Sequence, residues 1–462
     1  MKFERFGPEC LQRVRARLRK VNDQDLQHEP LVLTQITIID VAGGPAKPDM
    51  TVVIRDDRIS DIGEAKKVSV PPGAKVVNAA GKFLIPGLWD MHVHWYIKES
   101  FPLFTANGVT GIRQMFGNSD LLRWRQDIAK GSLPGPRMVV ASPIIDGPQP
   151  VWPTSIAVRD EAEGRKAVRK VQQWGADFVK VYSLLPRDAY FGIADEAKQQ
   201  GLPFVGHVPF SVSPAEASDA GQKSIEHLTG ILIGCSDKEA ELRDEIVQAH
   251  SPAVRARAEA IALETYNNRK AAELFERFVK NGTWQCPTLT VLRSSAYLGD
   301  ESFRSDQRLK YVPPQIKERW RLRIVGRNEA NYANAKRVYQ KELEIVGAMR
   351  RAGVGFLAGT DTGNPFCFPG FSLHDELALL VKAGLAPVEA LRSATLDPAK
   401  FLGLDKTLGT IEQGKIADLV LLDANPLEDI RNSQRINAVV SNGRLFDRKA
   451  LDKMLAQAEQ VH

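Results

Sequence analysis

The chain has 462 residues, enough for a large hydrophobic core and more than one domain. Hydrophobic residues make up 43% of it and charged residues 26%, with a net charge of +6, which is typical of a globular protein. The Lys and Arg residues form no dense block with interleaved aromatic residues, so the composition argues against nucleic acid as a partner. No apolar run reaches the roughly 18 residues that a transmembrane helix needs, so no membrane span is predicted.

The N-terminus and the cysteines bear on the cellular compartment. The first residues are charged and lack the apolar segment of a signal peptide, so we expect a cytoplasmic protein. The four cysteines form no CxxC pair and are predicted to be free thiols in a reducing compartment. Residues 1–28 carry apolar side chains at helical spacing between arginines and are predicted to form a charged helical arm. A membrane-surface or partner-binding helix is the alternative for this segment.

Both ends of the chain consist of short β-branched segments broken by Gly, Pro and Asp. This texture occupies residues 29–84 and returns at 404–450, where Asn442-Gly443 is a hairpin signal. We expect the two ends to build one small flanking β-sandwich from antiparallel strands. The middle of the chain would then be an insertion into this domain.

The middle of the chain, residues 85–403, alternates apolar strand segments with helical ones. The eight predicted strands are GLWDMHVH, VTGIRQM, RMVVASPII, DFVKVYS, FVGHVP, SIEHLT, WQCPTLTVL and VGFLAGTD. Such alternation over this length predicts an α/β fold, a TIM-like (β/α)8 barrel rather than an open sheet. Long charged helical segments at about 236–282 and 300–350 are expected to cover the mouth of the barrel.

Histidine and aspartate side chains fall at the ends of the predicted strands. His92 and His94 are two residues apart on the first strand, so both side chains point to the same side. His207, His227 and Asp361 end three later strands. Because the active face of a barrel lies at the C-terminal ends of its strands, these five side chains are expected to converge. Imidazole and carboxylate groups together are typical of a metal site.

Lys180 interrupts the apolar strand DFVKVYS. It can be a strand lysine whose amine reaches outward to solvent. Alternatively, a buried and neutral amine can react with carbon dioxide to give a carbamate, an anionic ligand able to bridge two metal ions, because burial depresses the pKa of lysine. The surrounding His and Asp residues favour the carbamate.

The strand motifs resemble those of the amidohydrolase superfamily, and in particular its binuclear branch of prolidase-like and Xaa-amino-acid dipeptidase enzymes, which use a carboxylated lysine. The resemblance covers about residues 30–448 and is carried by IPGLWDMHVH, DFVKVYS, FVGHVP, SIEHLTG, AGTDTG and EQGKIADLVLLDANP. It implies a TIM-like barrel with a small flanking β-sandwich, in agreement with the strand pattern.

The resemblance also implies two divalent ions, expected to be Zn²⁺, held by six side chains: His92, His94, Lys180, His207, His227 and Asp361. The first two histidines and Asp361 would hold one ion, the other two histidines the second, and carboxylated Lys180 would bridge them. A hydroxide shared by the ions would attack the substrate carbonyl. Asp361 would act as the catalytic acid and base, taking the proton and passing it to the leaving amine.

Two further residues are predicted to bind substrate. Tyr182 lies two residues beyond Lys180 and is expected on the same face, with a packed tyrosine at the barrel rim as the alternative. His374 follows the eighth strand and is predicted to contact substrate, with helix capping or loop structure as the alternative. Asp90 shares a face with His92 one step deeper and is interpreted as part of the barrel interior.

The sequence thus predicts a metal-dependent amidohydrolase that cleaves the amide bond of a dipeptide or N-acyl amino acid. An ester, lactone or phosphotriester hydrolase on the same site is the alternative, since the metal hydroxide does not distinguish the leaving atom. Lys180 argues against a mononuclear deaminase of this fold, and the complete ligand set argues against a non-catalytic scaffold. We expect a small-molecule substrate and a homo-oligomer.

Overall fold

A computed structural model describes residues 29–323 and 329–460. The predicted arm at residues 1–28 lies outside the described residues, as does Cys10. The strands are β1 (Leu31–Ile38), β2 (Lys47–Arg55), β3 (Arg58–Glu64), β4 (Lys75–Asn78), β5 (Phe83–Pro86), β6 (Leu88–Val93), β7 (Val109–Gln114), β8 (Arg137–Val140), β9 (Ile145–Asp146), β10 (Ile156–Ala157), β11 (Val179–Val181), β12 (Phe204–Gly206), β13 (Ser224–Glu226), β14 (Trp284–Cys286), β15 (Leu419–Leu422), β16 (Ile436–Ser441) and β17 (Arg444–Asp447).

Helices alternate with the strands of the middle region. The described α-helices are Pro102–Ala106, Ser119–Ala129, Glu161–Trp174, Arg187–Gln199, Pro214–Asp219, Ile231–Gly234, Glu239–Ala249, Pro252–Glu264, Asn268–Asn281, Leu289–Tyr297, Glu301–Arg304, Pro314–Leu322, Glu329–Ala352, Phe371–Lys382, Pro387–Ser393, Leu396–Phe401 and Arg448–Gln460. The described 3₁₀ helices are Lys98–Ser100, Gln307–Tyr311 and Ile430–Gln434. Within the described residues, no helix is both long and apolar enough to cross a membrane.

Strands from the two ends of the chain form one eight-stranded sheet, in the order β17-β16-β15-β5-β1-β2-β3 with β4 also paired to β1. Apolar side chains of both ends share one core, among them Leu33, Val52, Leu419 and Val440. Asn442-Gly443 joins β16 to β17 with both residues at positive φ, as the hairpin signal predicts.

The prediction that this sheet is antiparallel was wrong in part. β1 pairs with β2 in antiparallel fashion but with β4 and β5 in parallel fashion. The chain crosses back after β3 instead of turning a hairpin, and such a crossover brings the next strand in parallel. The strands form one continuous sheet, and the division into the two layers of a sandwich stays a prediction.

The middle strands pair in parallel, as the alternation predicts. β6, β7 and β8 form one ladder, and β10, β9, β11, β12, β13 and β14 form another. A bridge between Ala141 and Phe178 lies between the two ladders. Residues 355–362 make single bridges rather than a strand: Phe356 pairs with Gln285, and Thr362 pairs with Val93 on β6. This segment replaces the eighth predicted strand.

The seventh predicted strand was too long. β14 ends at Cys286, and residues 289–297 are helical. Pro287 has no backbone N–H to donate, and Thr288 adopts a φ of +50°, a left-handed conformation that is rare for a β-branched residue. The strand therefore ends here, and the backbone turns directly into a helix.

Every residue of β6 and β7 is buried, so their apolar residues do not alternate with exposed polar ones, and polar residues such as Asp90, His92 and Arg113 are buried as well. The surrounding helices are amphipathic: Asn268–Asn281 buries Ala271, Leu274, Phe275 and Phe278 on one face. The C-terminal helix Arg448–Gln460, which the sequence analysis did not predict, buries Leu451 and Ala458.

Candidate metal centre

The ends of three parallel strands and the bridged segment 355–362 bring the predicted His and Asp ligands to one place. His92 lies on β6, His207 and His227 directly follow β12 and β13, and Asp361 lies next to the residue that bridges to β6. His94, His207, His227 and Asp361 line a cavity of about 1490 Å³, while His92 is fully buried. The helices Glu239–Ala249, Pro252–Glu264, Pro314–Leu322 and Glu329–Ala352 also contribute residues to the cavity wall, so charged helical segments lie beside the site. That they cover the mouth of a barrel stays a prediction.

Hydrogen bonds at Nδ1 determine the tautomers of His92 and His227. Nδ1 of His92 lies 2.7 Å from a carboxylate oxygen of Glu226, a group that also accepts from an arginine, so the histidine is the donor. Nδ1 of His227 lies 2.6 Å from the Thr288 hydroxyl. Because that hydroxyl donates its own hydrogen to the carbonyl of Pro287, it accepts from His227. Both rings therefore keep the lone pair of Nε2 free, as metal-binding histidines do.

The other two histidines have comparable neighbours. Nδ1 of His94 lies 3.4 Å from the hydroxyl of Tyr96, which donates to the carbonyl of Phe116 and so can only accept from the ring. Nδ1 of His207 lies 2.8 Å from the hydroxyl of Ser183. These contacts orient the Nε2 edge of each ring away from its supporting hydroxyl.

The Nε2 atoms of His92 and His94 lie 3.2 Å apart, and both face Oδ1 of Asp361, at 3.5 Å and 3.4 Å. With Nδ1 protonated in both rings, neither imidazole has a hydrogen to donate from Nε2, and Oδ1 has no hydrogen-bond partner among the described residues. Three electron-pair donors at this spacing repel one another unless a cation lies between them. His92, His227 and Asp361 also offer ligand atoms within 4.8 Å of one another. The donor set therefore fits a divalent metal ion.

Lys180 is fully buried in β11, so the alternative of an outward-reaching lysine was wrong. Its Nζ has no hydrogen-bond partner among the residues that the structure describes. Burial lowers the pKa of Lys180 to about 8, although the carboxylates of Glu226 and Asp361 oppose that change. Its charge in turn lowers the pKa of all four histidines, which shows that the amine lies within electrostatic reach of the whole centre.

Asp361 adopts a backbone conformation that is uncommon for residues other than glycine. Its φ is +58°, and its backbone N–H donates to the carbonyl of His92. His227 has the same left-handed φ of +58°. Such conformations cost free energy outside glycine and cluster at functional sites. Burial raises the pKa of Asp361 to about 7, while Lys180 acts in the opposite direction.

Burial also lowers the pKa of the site histidines, to about 3 for His94 and well below the ordinary range for the other three. These imidazoles are therefore neutral near pH 7, and the neutral ring is the form that binds metal ions.

A buried ion pair between Arg113 and Glu226 contacts His92, and the sequence analysis did not predict it. Arg113 on β7 donates from Nη2 to both carboxylate oxygens of Glu226, at 3.0 Å each, and from Nε to the carbonyl of Met91. Both side chains of the pair are fully buried. Lys180 was singled out because it is a charged residue within an apolar strand. The same pattern is present at Arg113 in VTGIRQM and at Glu226 in SIEHLT. Cys286 also lies near Glu226, and this buried thiol, like Cys235 and Cys367, is free as predicted.

The interpretation of Asp90 as a structural residue agrees with its contacts. Its carboxyl group accepts from the backbone of His92 and from the backbone and hydroxyl of Thr360. Burial raises its pKa to about 7. Asp90 thereby ties the strand of His92 to the segment that carries Asp361.

The two predicted substrate-binding residues have different positions. Tyr182 lines the cavity, its ring stacks on His207 with centroids 3.9 Å apart, and its hydroxyl accepts from Trp152. The prediction for His374 was wrong. Its ring is 2% exposed, and its nitrogens contact the Ser433 hydroxyl and the Asn107 carbonyl, so it joins a helix to neighbouring elements away from the described cavity wall.

Comparison with known proteins shows the family of this chain. The sequence profile of the amidohydrolase family matches residues 83–446. The chain belongs to the amidohydrolase family. The prediction of the superfamily is therefore confirmed. Members of this family typically bind metal ions, in agreement with the His and Asp cluster.

Individual amidohydrolases resemble the chain over nearly its whole length. Ochratoxinase from Aspergillus niger is 25% identical and aligns with 91% of this chain and 90% of its own. The structure of a Bifidobacterium longum protein assigned as a prolidase is 25% identical, with a TM-score of 0.67 over 93% of this chain and 99% of the other. Bottromycin amidohydrolase, 24% identical, has a TM-score of 0.76 over 97% and 96% of the two chains and shares the fold. This amidohydrolase is thus a hydrolase acting on carbon–nitrogen bonds.

Proposed function

We propose that the chain is a binuclear metal hydrolase that cleaves the amide bond of a dipeptide or an N-acyl amino acid. The observation that carries the proposal is the fully buried amine of Lys180, which lies among four histidines and Asp361 without a hydrogen-bond partner in the described residues. A charged ammonium in such a place would be costly, whereas a neutral amine can take up carbon dioxide. The carbamate would supply the negative charge and the two oxygens that two cations need.

The proposed ligands of one ion are His92, His94 and Asp361. The distances of 3.4 Å and 3.5 Å from Oδ1 of Asp361 to the two Nε2 atoms support this group. His207 and His227 would hold the second ion, and their ring centroids lie 5.0 Å apart. Carboxylated Lys180 would bridge the two. Oδ2 of Asp361 lies 3.9 Å from Nε2 of His227, which puts this carboxylate beside both groups.

The reaction divides between the ions and the residues of the chain. When bound, two divalent ions polarise the scissile carbonyl and make a water molecule acidic enough to attack at neutral pH. Asp361, which lines the cavity, takes the proton of the attacking water and passes it to the leaving amine. Glu226 and Thr288 hold the imidazoles of His92 and His227 in the orientation that presents Nε2.

We further propose that the parallel strands of the middle region close into a (β/α)8 barrel, with the sheet of the two chain ends beside it. The bridges at Ala141, Phe356 and Thr362, which connect the ladders in turn back to β6, support the closed arrangement. The barrel would comprise residues 85–403 and the flanking domain residues 29–84 and 404–450. Closure explains why ligands from β6, β12 and β13 and from residue 361 meet at one point.

The cavity supports a small organic substrate. Its volume of about 1490 Å³ exceeds the roughly 300–1,000 Å³ of common ligand pockets and leaves room for a substrate larger than a minimal dipeptide. Tyr96, Trp152 and Tyr182 contribute aromatic rings to its wall. An amino acid carrying a bulky acyl group fits this combination of volume and aromatic surface.

A substrate panel tests the proposed function. Zinc-loaded protein is incubated with dipeptides, N-acyl amino acids, carboxylic esters, lactones and a phosphotriester, and product release is followed by chromatography. We expect the highest kcat/KM on an amide of an amino acid. Activity confined to esters, lactones or the phosphotriester would contradict the proposal and support the alternative substrate classes.

A further inference from the structure

The wall of the cavity carries an arginine that the proposed chemistry does not use. Arg255, on the helix Pro252–Glu264, lines the same cavity as His207, His227 and Tyr182, and 47% of its side chain is exposed there. Its guanidinium packs against the ring of Phe210, which follows His207 by three residues. The guanidinium therefore lies on the His207 side of the centre.

The contacts of Arg255 hold one edge of its guanidinium and leave the other available. Nε donates to Oε1 of Glu259 over 2.8 Å, one helical turn further on. The guanidinium also lies over the ring of Phe210, 5.7 Å from its centroid, within the range of a cation–π contact. Within residues 29–323 and 329–460, neither Nη atom has a recorded hydrogen-bond partner. Their outward N–H groups match the two oxygens of a carboxylate.

The acidic neighbours of Arg255 do not cancel this capacity. Burial, and next the charge of Glu259, raise the pKa of Glu342 to about 8, which favours its neutral form, while Arg255 acts in the opposite direction. Within the described residues, Glu259 is the carboxylate that hydrogen-bonds to the guanidinium. It engages Nε rather than the Nη edge.

Within the described part of the chain, three other arginines line the cavity wall: Arg243, Arg319 and Arg323. Arg319 lies on the helix Pro314–Leu322. Trp320 of this helix donates to the carbonyl of Gly363, two residues beyond Asp361, so the helix lies on the other side of the centre. Arg243 lies near two carboxylates, at 3.6 Å from Glu216 and 3.9 Å from Glu239. Arg323 donates from Nη1 to the side chain of Asn364, three residues beyond Asp361. Arg255 is therefore the strongest candidate for binding an anion beside the second pair of histidines.

We propose that Arg255 binds the free carboxylate of the substrate's leaving amino acid and makes the enzyme selective for substrates with a free C-terminus. This inference rests on the proposed function of the site. In an amino-acid leaving group the carboxylate and the scissile nitrogen are attached to the same carbon. A residue that holds the carboxylate beside His207 and His227 thus also positions the amide bond at the proposed metal centre.

A kinetic experiment compares N-benzoyl-L-phenylalanine with N-benzoyl-L-phenylalaninamide, which lacks only the carboxylate. Benzoate release is measured for the zinc-loaded wild type, Arg255→Met and Arg257→Met. Arg257 is exposed on the same helix and does not belong to the described cavity wall, so its variant controls for net charge. The wild type and Arg257→Met should favour the acid by about 10- to 100-fold in kcat/KM, the range of a charged bidentate contact. Arg255→Met should lose that preference mainly through a higher KM.

A binding experiment gives a result that does not depend on turnover. Calorimetry with L-phenylalanine and L-phenylalaninamide should show tighter binding of the amino acid to the wild type and to Arg257→Met, but not to Arg255→Met. Arg255→Lys keeps the positive charge but lacks the planar guanidinium with its two parallel N–H donors. Its preference for the amino acid over the amide should therefore be weaker than that of the wild type and stronger than that of Arg255→Met. Thermal melting confirms that each variant is folded.

The outcomes separate this inference from the proposed function. If the wild type cleaves the acid and the amide equally, the function stands and the role of Arg255 is wrong. If neither compound is cleaved while binding of L-phenylalanine still requires Arg255, the proposed function fails for this substrate class and the carboxylate site stands. Equal binding of the amino acid and its amide by the wild type, or loss of the preference in Arg323→Met instead of Arg255→Met, would overturn the inference.

Discussion

His92 donates from Nδ1 to the carboxylate of Glu226 over 2.7 Å, and this hydrogen bond decides which ring nitrogen faces the cavity side of the centre. The same carboxylate accepts from Arg113, so a buried ion pair positions the first predicted ligand. Thr288 has the corresponding role for His227. Neighbours of this kind orient a ligand before the ion arrives and strengthen its binding.

The first prediction concerns this carboxylate. Glu226→Gln should weaken zinc binding by about 10- to 100-fold, because Gln can donate to Nδ1 of His92 and no longer requires the Nε2 lone pair to face the site. The variant should also unfold more easily, by about 3–5 kcal/mol, since Arg113 loses its buried partner. A zinc titration with a competing chelator and a denaturant titration measure the two effects.

Asp418→Asn is the matched control for Glu226→Gln. Asp418 accepts from Nε of Arg137 over 2.8 Å in another nearly buried ion pair, at the junction of β8 with the sheet of the chain ends. This variant should lose stability but bind zinc normally. Equal zinc affinity in the Glu226 and Asp418 variants would show that the Arg113 pair acts on stability alone.

The second prediction concerns Lys180. Lys180→Ala should bind metal poorly and be nearly inactive, because it lacks the proposed bridging anion. Acetate or propionate, added with excess zinc, should enter the space left by the side chain and restore part of the activity, whereas chloride at the same ionic strength should not. In the wild type, ¹³C-labelled bicarbonate should give a carbamate resonance that is absent from the variant. Full activity of Lys180→Ala would exclude the carbamate.

The third prediction concerns proton transfer. Asp361→Asn should remain folded and lose turnover by about 10²- to 10⁴-fold, the usual effect of removing a general acid and base. The position has a left-handed φ that Asn tolerates as well as Asp, so the backbone should not change. Stopped-assay kinetics, with melting as the control, measure the effect. A kcat close to that of the wild type would remove Asp361 from the mechanism.

The fourth prediction separates Tyr182 from His374. Tyr182→Phe should change KM or substrate preference more than the melting temperature, because its ring lines the cavity and stacks on His207. His374→Ala should do the opposite: it leaves the Asn107 carbonyl and the Ser433 hydroxyl without their buried partner, a loss of about 1–3 kcal/mol. Unchanged melting of the His374 variant with altered KM would restore His374 to the substrate site.

The strand pattern and the ligand positions could be predicted because both depend on local sequence. A run of apolar residues ending in His or Asp predicts a strand and the residue at its end. This pattern was sufficient to predict that His92, His207 and His227 lie close together, and their rings are neighbours in the structure. Lys180 could be singled out because a charged side chain in the middle of a buried strand is costly unless it is paired or neutral. The parallel pairing then brought these separate segments to one end of the middle region.

The remaining features depend on pairs that are distant in the sequence. Arg113 and Glu226 are 113 residues apart, and His374 and Asn107 are 267 apart, so no local pattern shows that they meet. The sequence analysis predicted a charged helical segment around Arg255 but not that this side chain lines the cavity. Which side of a helix faces a cavity depends on the elements that the helix packs against, and these are distant in the sequence. The segment at residues 355–362 pairs by single bridges, which strand propensity does not distinguish from a full ladder.

The central claim is that the chain holds two metal ions in one centre, and a metal count tests it most directly. Protein purified without chelator, saturated with zinc and passed through a desalting column is analysed by mass spectrometry with inductively coupled plasma. The account predicts close to two zinc ions per chain in the wild type. A fully active protein with one ion per chain, or with none, would contradict it.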